Sequence, residues 1–73
     1  ADTAAATVLY AAPEGVKLTG IAWQDSRKMR RAVVNDILSG EGTIVAGAKI
    51  IEIKPTVVRF EKNGTLYEVS LSR

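Results

Sequence analysis

The chain has 73 residues, ten basic and eight acidic, a net charge of +2, and neither cysteine nor histidine. It is one small domain with a thin core, without disulfides, without a Cys or His metal site, and without the commonest general base or any His-dependent triad. A charge of +2 mixed along the chain also falls short of the one-sided excess usual in nucleic-acid domains.

No apolar run approaches the roughly 18 residues of a membrane span, and no signal peptide is visible. The chain begins with Ala rather than Met, as expected of a piece excised or processed from something longer, with any anchor outside it. The lack of cysteine fits periplasm or cytoplasm equally.

Residues 1–15, "ADTAAATVLYAAPEG", differ from the rest: Ala-rich, and closed by the breaker Pro13-Glu14-Gly15. They read as a linker or loosely docked N-terminal segment, with a short extra strand over Thr7 to Tyr10 as the alternative. Residues 16–73 read as the domain proper. Its first strand is "VKLTGIAW", with Gly20 inside it, a residue that marks a bulge, a bend or close approach of another backbone. Simple alternation places Lys17, Thr19, Ile21 and Trp23 on one face and Leu18 and Ala22 on the other. Trp23, the sole tryptophan, reads as a partly buried rim aromatic or as a partner anchor.

Four basic side chains follow within five positions: Arg27, Lys28, Arg30 and Arg31. Single-strand binders interleave such residues with aromatic stacking platforms. This loop holds Met29 and no aromatic, and Asp25 and Asp36 flank it. It reads best as a solvated hairpin rim that also discourages edge-to-edge pairing, or as a contact surface for an acidic partner. "RAVVNDI" is the next strand. In "LSGEGTIVAG", Gly40, Gly42 and Gly47 look like turn positions around a short extended piece, Thr43 to Val45.

The C-terminal pattern is the clearest. In "TVVRFEKNGTLYEVSLS", two alternating runs are joined by Asn63-Gly64, the pair that a type I′ turn favours because both central residues need positive φ. The register follows: Lys62 opposite Thr65, Phe60 opposite Tyr67, Arg59 opposite Glu68, Val58 opposite Val69. The aromatic and valine pairs then share the core face. Upstream, Pro55 excludes a type I′ or II′ turn, so a four-residue loop from Lys54 to Val57 is expected. It pairs Ile53 with Val58, Glu52 with Arg59 and Ile51 with Phe60, giving an outer ladder of Glu52, Arg59 and Glu68. The sum is an all-β fold: a small antiparallel barrel or two-sheet sandwich of about five to six short strands.

Candidate chemistry is sparse. Gly42 to Gly47 has the glycine spacing of a phosphate loop, but Ala48 stands where the lysine belongs and a strand follows. Glu52 and Glu68 flank Arg59 on a solvated face, and Asp36 with Glu41 makes at most a weak cation pair. No catalytic residue, cofactor site or metal site is assigned, and no enzyme activity is expected.

With the strands placed, a family pattern covers residues 16–71: "LTGIAW", then "RRAVVN", a Gly turn, "VAGAKIIEI", "VVRF", "NG" and "LYEVSL". It resembles the small periplasmic all-β domain of bacterial type II secretion components. It is most similar to the C-terminal domain of secretion protein B, and similar too to the homology region of secretion protein C and to the type IV pilus assembly lipoprotein. The sequence departs from the family after Asn35, where Asp36 and later Gly40-Glu41 replace a Gly and a Gly-Asp pair, so a shifted or longer turn is expected there.

The resemblance implies a non-enzymatic periplasmic scaffold. It would be tethered to the inner membrane by an anchor missing from this chain, and would dock on periplasmic domains of the outer-membrane secretin and on other inner-membrane secretion components. Weak self-association is a further option. The implied contact is the edge of the first strand, Lys17, Leu18, Thr19, Gly20, Ile21 and Trp23, by strand addition, with Arg27, Lys28, Arg30 and Arg31 as a secondary contact loop. No cofactor and no nucleic acid are implied. The alternative from another class is a small β-barrel that binds nucleic acid through Arg27 to Arg31.

Overall fold

A computed structural model of the protein describes residues 8–71. The strands are β1 (Val8–Leu9), β2 (Leu18–Ala22), β3 (Arg31–Val34), β4 (Ile37–Ser39), β5 (Ile44–Val45), β6 (Ala48–Ile53), β7 (Val57–Lys62) and β8 (Thr65–Ser70), with one 3-10 turn at Arg27–Met29. They form two sheets, β1-β8-β7-β6-β5 and β2-β3-β4, not closed into a barrel. The all-β, two-sheet expectation holds. Among the described residues the strand count is eight rather than five to six, because Val8–Leu9 and the short extended piece at Ile44–Val45 also pair, and the Asn35-Asp36 turn divides "RAVVNDI" between two strands.

Three hairpins share one device. Asn35-Asp36, Ala46-Gly47 and Asn63-Gly64 each join adjacent strands through two residues, and all six have positive φ, from 51° to 80°. This backbone matches the right-handed twist of the flanking strands. The Asn63-Gly64 hairpin has the expected register throughout. The turn after Val34 is not longer or shifted: it is Asn35-Asp36 itself, with Val34 opposite Ile37. Asn and Asp tolerate the left-handed region through local side-chain bonding, so the pair closes a hairpin without glycine.

Two bulges correct the simple alternation. On β6 the register shifts between Ile50 and Glu52. Ile53–Val58 and Glu52–Arg59 pair as expected, but Ile50, not Ile51, stands opposite Phe60. An inserted residue moves everything beyond it to the other face, and Ile50 is fully buried while Ile51 is not. On β2 the register shifts between Leu18 and Gly20. Leu18 and Ile21 therefore both pack against the core, and Ile21 does not share a face with Thr19.

The core lies between the sheets. Ala32 and Val34 of the small sheet meet Ile50, Ile53, Val58 and Phe60 of the large one, all fully buried. On the far side of the large sheet Arg59 pairs with Glu68 at 3.8 Å, an ion pair without a hydrogen bond. Glu52 stands opposite Arg59 in register, but Glu68 is the ion-pair partner.

Residues 8–15 run from the large sheet to the small one, while residues 1–7 of the proposed linker lie outside the described residues. Val8 and Leu9 pair in parallel with Leu66 and Tyr67. Pro13 is buried, and the three tight turns gather around the segment it begins. Asn35 Nδ2 donates to the Gly15 carbonyl at 2.8 Å, and Lys62 Nζ donates to the Glu14 carbonyl at 3.0 Å. A Cβ on Gly15 would stand 3.5 Å from that of Ala46. Asn35 does more: its Oδ1 accepts from the Lys17 amide at 2.8 Å, and its own amide donates to the Lys17 carbonyl at 2.9 Å. One asparagine thus acts as a turn residue and as a strand partner.

Two predictions test this end of the molecule. Asn35→Gly keeps the turn but loses both side-chain bonds, costing about 1–2 kcal/mol, and Asn35→Ala adds roughly 1 kcal/mol of left-handed strain. Urea unfolding midpoints measure both, and equal losses would remove the strain argument. Ala46→Gly relieves the same strain and is expected to raise stability by up to about 1 kcal/mol. A drop instead would mean that the Ala46 methyl contact outweighs it.

Candidate functional site

β2 is an edge strand among the described residues: β3 flanks it on one side and no described strand flanks it on the other. Of the six residues expected to form a contact edge, Leu18 and Ile21 turn toward the core, and Lys17 and Thr19 are exposed. Thr19 lies at the bulge and its hydroxyl donates to the Val33 carbonyl at 3.4 Å. Gly20 stands opposite Val33, where an added Cβ would touch the valine at 3.4 Å. This is ordinary contact, so the glycine leaves space without being sterically required. Trp23 is 39% exposed at the strand exit, with the Arg30 guanidinium 4.5 Å over its ring. One ring face is thus already occupied.

The basic loop is tied to its own backbone. Arg30 donates to the carbonyls of Gln24 at 2.7 Å and Asp25 at 3.2 Å. Arg31 Nη1 donates to those of Lys28 and Arg30, both at 2.8 Å. Arg27 Nε donates to Glu41 Oε1 at 2.7 Å. Lys28 alone of the four has no side-chain partner among the described residues. The cluster is therefore a folded knot around the 3-10 turn rather than a set of four free cations, which weakens the phosphate-gripping alternative.

Glu41 is the residue that sequence reasoning missed. It follows β4 in the Gly40-Glu41-Gly42 connection. One carboxylate oxygen takes Arg27 and the other accepts from the Ile53 amide at 2.8 Å. A β2–β3 loop, a β4–β5 connection and the end of β6 are joined through one side chain. Burial pushes its carboxyl up, but the Ile53 amide and the Arg27 guanidinium outweigh this and hold it below the usual carboxylate range. Both oxygens are engaged, so no cation site with Asp36 is supported. Nothing in local sequence marks Glu41, because both partners are distant in the chain.

Arg27, Lys28, Arg31, Gly40, Glu41 and Thr43 line an open cleft of about 650 Å³. Gly40 gives the Arg31 guanidinium room there: a Cβ would lie 3.1 Å from Arg31 Nη1. Three cations face one carboxylate that is already paired. Among the described residues, no cluster of acidic side chains could hold a metal ion.

No family model matches the chain, and no curated protein matches it. A solved structure does: "The crystal structure of Dickeya dadantii GspB from the type 2 secretion system" matches with a TM-score of 0.69 and 20% sequence identity, over 89% of this chain and 83% of that one. The two share a fold.

Glu41 generates a pH prediction. A depressed folded pKa gives stability that is present above the unfolded pKa and lost as pH falls through the folded value. Glu41→Gln is therefore expected to cost about 1 kcal/mol at pH 7, and the gap to the parent narrows as pH falls below the ordinary glutamate value of about 4.3. Urea midpoints of the two proteins from about pH 7 downward check it. A gap that does not narrow as pH falls through the acid range would contradict the assignment.

Proposed function

We propose that this chain is a non-enzymatic protein–protein adaptor of the type II secretion machinery, or of the related type IV pilus machinery. In this reading it docks on periplasmic domains of the outer-membrane secretin and sits in the periplasm, tethered to the inner membrane by an anchor outside this sequence. The observation that carries the reading is the fold shared with GspB, over most of both chains. The residues that resemble the secretion-domain pattern, "LTGIAW", "RRAVVN", "VAGAKIIEI" and the "NG" hairpin, support it independently.

The mechanism is strand addition at β2. Among the described residues that edge has no neighbour on its open side, so its free backbone groups can extend a partner's sheet. Main-chain bonds give affinity and the exposed Lys17, Thr19 and Trp23 give specificity. The core-facing Leu18 and Ile21 hold the edge in place, and the Thr19 bulge limits indiscriminate pairing. The loop from Arg27 to Arg31 is a secondary contact.

The test is binding to purified secretin periplasmic domains. Thr19→Glu, which puts a charge on the exposed side of the edge strand, and Trp23→Ala are each expected to weaken binding at least tenfold with the strand spectrum by circular dichroism unchanged. Parent-level binding by both folded variants would sink the β2 edge, and no binding by the parent would sink the adaptor reading.

A further inference from the structure

The β3–β4 register carries an apolar face that the adaptor reading, which draws only on the neighbouring basic loop as a secondary contact, does not use. Val33 pairs with Leu38, and Arg31 is next to Val33 on the same face, with its guanidinium against Gly40. Ala32, Val34 and Ser39, the alternate positions, turn to the core. The outer face of the small sheet is therefore an apolar strip that runs straight into the basic cleft. Gly20 stands opposite Val33 and leaves the strip uncovered. Leu38 is 64% exposed, and Ile37 beside it 56%. Among the described residues β4 is an edge strand with no bulge, no proline and no charged residue within it, so its three-residue length is the one usual device against pairing that it keeps.

We propose that this face and the cleft together bind an extended segment of a partner protein that alternates apolar and acidic side chains. An apolar side chain lies on Val33 and Leu38, and a carboxylate sits between Lys28 and Arg31. Charge complementarity selects the occupant. Arg27 is neutralised by Glu41, which, among the described residues, leaves Lys28 Nζ without a partner and Arg31 with only its Nη1 spent. That suits a singly charged carboxylate. A phosphate chain would meet the resident Glu41, and no aromatic side chain lines the cleft to stack a base. A cleft of about 650 Å³ has room for peptide side chains, more than an isolated ion needs.

The site lies on the outer face of β3 and β4 and on the Arg27 to Arg31 loop, which it shares with the secondary contact of the adaptor reading, and it holds for any protein partner of this chemistry. The experiment therefore uses no secretin. An acetylated, amidated hexapeptide alternating valine and glutamate is titrated into the isotope-labelled chain and followed by amide NMR shifts. Saturable shifts are expected at Arg31, Val33, Leu38, Gly40 and Thr43. Lys28→Glu is expected to weaken binding at least tenfold and Leu38→Ser several-fold. Both residues are exposed, so each variant keeps the parent spectrum elsewhere. A valine–glutamine peptide is expected not to bind.

The proposal is overturned if the acidic peptide shifts none of these amides, if the glutamine peptide binds equally, or if Lys28→Glu leaves affinity unchanged. It is also overturned if inorganic phosphate or oligothymidine saturates the same amides at lower concentration. Peptide binding with no secretin binding would sink the adaptor reading and leave this site standing.

Discussion

Two sheets that share no strand must be held together by their ends. The core between them is small, built largely from Val, Ile and Ala with a single Phe. Apolar burial has no direction, so it presses the layers together without fixing their relative position. Two polar side chains supply that direction. Asn35 ties the β3–β4 turn to residues 15–17, where the chain crosses from one sheet to the other. At Glu41, an oxygen–amide bond links the connection after β4 to the end of β6. Each clamp satisfies backbone groups that neither sheet ladder pairs, and each is therefore costly to lose.

The clamps also shape the surface. Holding Arg27 on Glu41 draws the basic loop toward the body, and Arg30 and Arg31 complete it by bonding their own carbonyls. A run that looks like a free cationic patch becomes one wall of a cleft. With the sheets anchored at their ends, both long sides of the small sheet stay open. These two edges differ in kind. β2 carries a bulge and a neighbouring lysine, the marks of a controlled edge. β4 carries Ile37 and Leu38 in the open, next to positive charge. One domain of this size can thus offer two contacts of different chemistry without any change of shape.

Legibility varied along the chain for physical reasons. The Asn63-Gly64 hairpin was fully readable because turn type, register and alternating pattern all act within a few residues. The Lys54 to Val57 loop was readable for the same reason, and Ile53–Val58 and Glu52–Arg59 pair as expected. Prediction failed one step further, at Ile51, because a bulge leaves no local mark: Ile50 and Ile51 are identical side chains, and only the partner strand decides which is buried. The Asn35-Asp36 turn lay within reach, since both residues tolerate positive φ. The strand-like "RAVVNDI" pattern concealed it.

From the amino acids alone came the all-β class, the two-sheet option, the C-terminal register, the edge-forming first strand and the lack of any His or Cys chemistry. These depend on near-neighbour stereochemistry and on composition, which need no tertiary partner. Tertiary structure alone decided the bulges at Thr19 and Ile51, the clamps at Asn35 and Glu41, and the union of the Val33–Leu38 strip with the basic cleft. Each of these joins residues far apart in the chain: Glu41 lies 14 positions from Arg27 and 12 from Ile53. Such pairings become favourable only once the core has brought the two sheets together.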